Sequence, residues 1–256
     1  MPVILYTRNS VASAAIAERM REIVPRPQIE PVDAGSENTI TVPTDSDTDC
    51  MIVLSPHRSK SGTPVLTAHF PGNWDKADMG GTQRTLNIAH GTLLKTIVRE
   101  LDSANKRHGL GWPVSIEADH HGPSAKVPMI FVEIGSTEKE WKDEKAALVV
   151  AEAVDNAMKK AKEPRNPEPE TFFCVGGGHY AKEFTKLVLE RDDFCAGHIC
   201  PKYAIDSLEE DTFRQAIEKS TGPVRRVMVL KDGANSIQKK KVKELCEKFG
   251  VGYEEI

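Results

Sequence analysis

Short, nearly unbroken apolar runs recur along this chain, separated by longer stretches in which apolar residues return every three or four positions. The runs are Val3–Thr7, Cys50–Leu54, Met129–Ile134, Thr171–Val175 and Val227–Leu230, with an alternating segment at Trp112–Ala118. Each has the length and composition of a strand buried in a sheet. The longer stretches predict helices over Val11–Ile23, Thr82–His108, Glu138–Lys162, a segment ending near Glu190, and Ser236–Phe249 closed by Gly250. Strand and helix signals in alternation specify an α/β fold, a central sheet with helices on both faces.

Punctuation residues refine the reading. Pro25, Pro27 and Pro31 end the first helix, Gly109 stops the long one, and Thr137-x-x-Glu140 forms a capping box. Ser207-x-x-Glu210 reads as the start of a further helix, and His57–Asn73 lacks a clean period and reads as a long structured loop. Loops of that length inside a compact domain usually carry function. The proline-rich Glu163–Glu170 is the one plausible internal boundary, so the expectation is a single domain over 1–256, or two lobes sharing one sheet.

Composition narrows the function classes. The chain has 256 residues, 39% hydrophobic and 28% charged, which suits a globular domain and excludes disordered, collagenous and coiled-coil chains. No apolar run approaches about 18 residues, so no membrane span is expected, and the N-terminus lacks the basic and apolar regions of an export signal. The net charge of −4 argues against a bulk polyanion binder; a nucleic-acid partner would need a local basic face. Such faces are available at Lys159, Lys160, Lys162 and Arg165, and at Lys239, Lys240, Lys241, Lys243 and Lys248, although lysines near helix ends also serve the helix dipole alone. The odd count of five cysteines argues for reduced thiols in a cytoplasm. Cys195–His198–Cys200 does not have a common zinc spacing and reads more readily as a strand with packed thiols.

Six of the eight histidines fall at or just after predicted strand ends: His57, His69, His120, His121, His179 and His198. Sites in open α/β sheets form outside the carboxyl ends of strands, so these loops can converge on one crevice. Imidazole suits proton transfer near neutral pH and zinc ligation. Any one histidine is more often a satisfied structural group; several at successive strand ends favour a shared site. Glu117, Asp119 and Glu133 are acids at or near strand ends that could act as ligand, base or orienting partner. Glu133 is the most telling, because a carboxylate inside the apolar run MIFVEIG must be paired or functional. Gly176, Gly177 and Gly178 either cradle an anion with backbone N–H groups or make a tight turn, with His179 and Lys182 at the mouth. Ser59 and Ser61, beside His57 and Lys60, offer a weaker nucleophile site. There is no GxSxG and no HExxH, which argues against an α/β-hydrolase or a zincin.

Five motifs in one order carry a family resemblance: SPHRSKSGTPVLTAHFPGNW (Ser55–Trp74), IEADHHGP (Ile116–Pro123), FVEIGSTEKEW (Phe131–Trp141), VGGGHYAKEFT (Val175–Thr185) and GHICPKYA (Gly197–Ala204). The chain resembles the D-aminoacyl-tRNA deacylases of archaea and plants, which differ in sequence and fold from the bacterial and animal enzyme. The resemblance implies a mixed central sheet of the phosphorylase/hydrolase-like kind, related in architecture to peptidyl-tRNA hydrolase. It implies hydrolysis of the ester joining a D-amino acid, D-tyrosine or D-aspartate among them, to tRNA, with zinc as cofactor. The motif histidines carry over as His57, His69, His120, His121, His179 and His198; Glu133, Lys182 and Lys202 lie within matching motifs.

On this reading His120, His121, Glu133 and His57 form the catalytic group. His57, His69, His120 and His198 are the candidate zinc ligands, and Gly176–Gly178, His179, Lys182 and Lys202 meet the tRNA end. The expected partner is the acceptor end of a D-aminoacyl-tRNA, bound by a cytoplasmic monomer. Three other readings stay open: a metal-dependent aminopeptidase, a nucleoside phosphorylase acting on small substrates, and a catalytically silent tRNA-binding module.

Overall fold

The computed structural model describes residues 2–23, 30–44, 47–163 and 167–256; Pro25, Pro27 and Arg165 lie outside them. In chain order the elements begin β1 (Val3–Tyr6), α1 (Val11–Ile23), β2 (Val32–Asp33), β3 (Met51–Arg58), β4 (Val65–His69), β5 (Gly72–Asn73), β6 (Thr85–Leu86), α2 (Gly91–Arg107) and β7 (Val114–Ile116). They continue β8 (Met129–Ser136), α3 (Glu138–Trp141), α4 (Glu144–Lys160), β9 (Glu170–Val175), α5 (Lys182–Glu190), β10 (Phe194–Cys200), α6 (Glu210–Glu218), β11 (Val224–Val229), α7 (Ser236–Phe249) and β12 (Gly252–Glu255).

The fold is mixed α/β, as the alternation of patterns predicted. A six-stranded sheet has the order β2-β1-β3-β8-β4-β7, in which β4 runs antiparallel to β8 and the other pairs are parallel. A four-stranded parallel sheet has the order β10-β9-β11-β12. Strands before and after the 163–170 stretch thus lie in two sheets and do not share one. One apolar cluster joins them. It unites Ile52, Leu54, Val132 and Ile134 with α1, α2 and α4, and reaches Phe172, Cys174 and Ile199 of the smaller sheet. In α2 the side chains Leu93, Leu94, Ile97, Val98 and Leu101 are buried, each worth about 1.5–3 kcal/mol relative to exposure. Buried Lys95 of α2 also donates to the carbonyls of Arg191, Asp192 and Phe194 at 2.7–2.8 Å, where α5 ends and its dipole is negative.

The two faces of the larger sheet differ. Helices cover the face of Ile52, Leu54, Val132 and Ile134; the other face holds Met51, Val53, Met129 and Phe131 beneath Ala34, Ile40, Val42, Ala125 and Val127. Further along this second face stand Ser55, His57, Thr67, His69 and Glu133, because alternate residues of a strand share a side.

Four expectations need correction. His57–Asn73 is not one loop: β3 runs on to Arg58, and Val65–His69 is strand β4, every residue of which is buried. A strand buried on both faces shows no period of two, which hid it. The helix predicted from Thr82 starts at Gly91. Leu86 instead pairs with Gly72 and packs in an apolar cluster with Trp74, Phe173 and Phe213, and the Ala89 amide donates to the Lys219 carbonyl. The Thr137–Glu140 capping box exists, but the helix it opens ends at Trp141. Asp143 then caps α4 through the Ala146 amide at 2.8 Å. Finally, α6 is capped by Glu209 and Thr212 in place of Ser207 and Glu210.

Candidate active site

Four strand ends and the loops after them bring five histidines around two buried carboxylates. His57 is the penultimate residue of β3, His69 the last of β4, His120 and His121 follow β7, and His179 follows the glycine turn after β9. Ring centroids lie 4.2 Å apart for His69 and His120, 4.4 Å for His120 and His121, and 4.5 Å for His120 and His179. Glu133, in the middle of β8, sits opposite Ser55 and Thr67 in register, and Thr67 Oγ1 donates to its Oε2 at 3.3 Å. Gly135 makes room for the His57 ring, since a Cβ there would lie 2.6 Å from His57 Cδ2. His121 adopts φ of +45°, uncommon for a side chain of its size and a mark of local strain at the site.

Glu117 is the centre of the cluster. Its Oε1 lies 3.0 Å from His57 Nδ1, and its Oε2 lies 3.0 Å from His179 Nε2 and 3.5 Å from His120 Nε2. Glu133 Oε2 lies 3.5 Å from His57 Nδ1 and 3.8 Å from His69 Nε2. Burial alone would neutralise both acids. Instead the surrounding imidazoles, His179 and His57 for Glu117 and His57 and His69 for Glu133, hold both carboxyls well below the usual carboxylate range. Burial likewise opposes charge on His57, but Glu117 and Glu133 outweigh it and lift its pKa to about 11. For His120 and His121 burial prevails, reinforced by charge on His69, and depresses both rings, His121 to about 4. The site is therefore an ion-paired half, His57 with the two carboxylates, beside a neutral half, His120 and His121.

The hydrogen-bonding pattern fixes which ring atoms are available. His69 Nδ1 donates to the Phe70 carbonyl at 3.0 Å, His120 Nδ1 to the Ala118 carbonyl at 2.9 Å, and His121 Nδ1 to the Gly122 carbonyl. A carbonyl can only accept, so each Nδ1 carries a proton. In the neutral rings of His120 and His121 Nε2 keeps its lone pair, whereas for His69 burial opposes charge and Glu133 outweighs it. These three rings are close enough to offer nitrogens to one ion, as are His57, Glu117 and His179, or His69, Glu117 and Glu133. Among the described residues buried His69 Nε2 has no hydrogen-bond partner, and neither Glu117 oxygen has a well-aligned one, although His57, His120 and His179 nitrogens stand 3.0–3.5 Å away. Buried polar atoms left unbonded cost about 1–3 kcal/mol each, so such a set calls for a partner. Imidazole nitrogens held by backbone acceptors, with carboxylates beside them, are the donor set of a zinc-type cation.

Not every predicted residue joins. His198 does not: its Nδ1 contacts Asp119 Oδ2 at 2.5 Å and its Nε2 donates to the Lys219 carbonyl at 2.9 Å. Both nitrogens are engaged away from the cluster, and among the described residues His198 belongs to no group that could hold a metal ion, whereas His121 does. The glycine triplet makes a tight turn in which two of its three amides are engaged. Gly176 N–H donates to Cys200 and Gly177 N–H to Gly233, and α5 starts only at Lys182. Gly176 has φ of +109°, and a Cβ there would lie 2.9 Å from the Gly233 carbonyl oxygen. Lys202 is exposed at the head of a short 3-10 helix, while Ser59 and Ser61 contact each other at 3.0 Å on the surface. All five cysteines are buried as free thiols and none belongs to a metal-binding group among the described residues. Most basic-face lysines are neutralised: Lys160 by Glu100 at 2.6 Å, Lys239 by Glu255 at 3.0 Å, Lys241 by Glu209 at 3.1 Å, and Lys159 and Lys248 by Asp155 and Glu210.

Two functional residues were underweighted in the sequence. Glu117 was one acid among three; only the approach of His57 and His179 makes it central. Tyr180 went unread, although it adjoins His179. Its hydroxyl lies 2.7 Å from His57 Nε2, and its backbone forms a bridge with Glu117.

A mixed α/β fold with buried imidazoles and carboxylates at strand ends defines a hydrolase-type centre suited to proton transfer and to a bound cation. The sequence profile of the D-aminoacyl-tRNA deacylase family matches residues 44–254, and this chain belongs to that family. A D-aminoacyl-tRNA deacylase of Ignicoccus hospitalis is 36% identical over 203 residues, 79% of each chain. That of Aeropyrum pernix is 36% identical over 233 residues, 88% of this chain and 82% of the relative. The crystal structure of a conserved protein of unknown function superposes with a TM-score of 0.88 at 26% identity, covering 100% of this chain and 95% of that one.

Proposed function

We propose that this protein hydrolyses the ester between a D-amino acid and the terminal ribose of tRNA, as a cytoplasmic carboxylic ester hydrolase that clears misacylated tRNA. The observation that carries the proposal is the convergence of His57, His69, His120, His121 and His179 on Glu117 and Glu133, within a chain of this family. Binding alone would not need two buried carboxylates held ionised among imidazoles.

A zinc-type cation would be held by Nε2 of His69, His120 and His121 with a carboxylate from Glu117 or Glu133. Once bound, such an ion acidifies water and polarises an ester carbonyl. The chain's own groups do the rest. His179, the most exposed ring of the cluster at 35% side-chain exposure, meets the substrate first and takes the proton of the attacking water. Glu117 stabilises the imidazolium that forms, and the same proton then goes to the departing ribose hydroxyl. His57, kept charged, donates Nδ1–H toward Glu117 and Nε2–H to the Tyr180 oxygen. The Tyr180 O–H is then free to donate to the oxyanion of the tetrahedral intermediate.

The test is release of labelled D-tyrosine from D-Tyr-tRNA, run beside L-Tyr-tRNA, with metal content measured in parallel. Hydrolysis of the D ester with the L ester spared is expected, together with about one zinc per chain, lost in the His69→Ala/His121→Ala variant. A protein that spares both esters is not a deacylase of this kind; full activity in the metal-free protein removes the zinc and leaves the esterase.

A further inference from the structure

Beside the histidine cluster, between β4, the edge strand β7 and helix α5, lies a cleft of about 550 Å³ that the reaction described above does not use. Pro64, Val65, Pro113, Val114 and Leu189 give it apolar walls. Tyr180 lines the same cleft and hydrogen-bonds His57, so the cleft begins where the reacting groups end. Lys182 and Lys186, one turn apart on α5, also line it.

These two lysines differ from most of those on α4 and α7. Among the described residues neither has a carboxylate within ion-pair distance, whereas Lys239, Lys240, Lys241 and Lys248 of α7 are each paired with an acid. The one acid in the lining, Glu190, stands at the far end of α5, a turn beyond Lys186. An apolar cleft whose lining carries two ammonium groups, with no carboxylate at ion-pair distance among the described residues, suits a base with phosphates attached. An aromatic or aliphatic amino-acid side chain would use the cleft but not the lysines.

We infer that this cleft receives the 3′-terminal adenosine of the substrate tRNA, its base between the proline and aliphatic walls, with its 5′ phosphate and the phosphate of the preceding nucleotide on Lys182 and Lys186. The inference rests on the deacylase reading and deepens it. The ester attached to that nucleoside's ribose would then lie beside Tyr180 and His57, at the entrance to the cluster. Specificity for the tRNA end would come from α5 and the β4–β7 edge, and the basic helix α7 would take no part.

Calorimetric titration of the full-length protein with the trinucleotide pCCA, and with pCCC as the comparison, tests this without any turnover. pCCA should bind tighter than pCCC. Its affinity should fall at least 10-fold in Lys182→Ala/Lys186→Ala and in Thr63→Trp, which places a ring in the cleft from an exposed position on its lining. The log–log salt slope should drop by about 1.4 for the two lysines. Lys240→Ala/Lys243→Ala on α7 should leave binding unchanged, and circular dichroism confirms that each variant is folded. Equal affinity for pCCA in wild type and both cleft variants overturns the inference, as does equal binding of pCCC and pCCA. A protein that binds pCCA through these residues but hydrolyses no D-Tyr-tRNA overturns the deacylase reading alone. One that hydrolyses D-Tyr-tRNA at unchanged KM in Lys182→Ala/Lys186→Ala overturns the cleft alone.

Discussion

His120 and His198 are alike in sequence: each lies near the end of a strand, within a motif shared with the same family, close to an acid. Their fates in the fold are opposite. His120 gives Nδ1–H to its own loop at Ala118 and turns Nε2 toward Glu117 and the cluster. His198, fully buried, closes on Asp119 through Nδ1 and on Lys219 through Nε2. One ring keeps a lone pair available for chemistry. The other has both nitrogens committed and ties β10 of the smaller sheet to the loop after β7. A histidine's role thus follows from what its second nitrogen meets.

Disabling each side of this pair should have separable consequences. The largest expected effect is at Glu117, which holds the reactive rings: Glu117→Gln should lower kcat/KM for D-Tyr-tRNA, measured per folded molecule, by about 10³-fold, about 4 kcal/mol of barrier. A rate within 10-fold of wild type would show that Glu117 is structural, and would remove the contrast. Next, His198→Ala leaves the buried Asp119 carboxyl without its imidazole hydrogen-bond partner and should cost about 3 kcal/mol in urea unfolding. Activity per folded molecule should stay within about 10-fold of wild type; loss of catalysis at unchanged stability would place His198 in the chemistry after all.

The two halves of the site should also differ in the pH dependence of the metal-free protein. The folded pKa of His57 is raised to about 11, so its contribution to stability is fully present below the unfolded value of about 6.5 and is lost as pH rises through 11. His121 is depressed to about 4: its neutral folded form is penalised as pH falls below about 6.5, until the folded ring protonates near 4. Each limb should slope by about 1.4 kcal/mol per pH unit for one proton. Chemical unfolding across pH should find His121→Ala flatter on the acid side only, and His57→Gln flatter on the alkaline side only. Unaltered limbs in both variants would mean that the cluster does not hold its protons as the ion-paired and neutral halves require.

Much of the fold was legible because its signals are local. The run around Cys50–Leu54, the capping box at Thr137–Glu140 and the Gly250 stop of α7 depend on neighbours within a few residues. Strand β4 and the stretch before α2 were misread because their conformations answer to distant partners: β8 across the sheet for Val65–His69, and Lys219 and β5 for the residues before Gly91. The candidate site divides the same way. Glu133 announced itself by standing in an apolar strand. Glu117 and Tyr180 depend on contacts across the seam between the sheets, and the amides of Gly176 and Gly177 on carbonyls at the end of β10 and after β11.

By itself the sequence determined the alternation of strands and helices, the ordered motifs of the family, and the presence of imidazole at several strand ends. It also held the local half of the site: the acceptors for Nδ1 of His69, His120 and His121 lie within two residues of each ring. Only the tertiary structure decided which rings meet and which are withdrawn. His198 finds its acid 79 residues away and its carbonyl 21 residues away, and Glu117 gathers His57 from 60 residues before it and His179 from 62 residues after it. The physical reason is that a lone pair is reactive only where no partner reaches it, and the partners here arrive through the packing of two sheets.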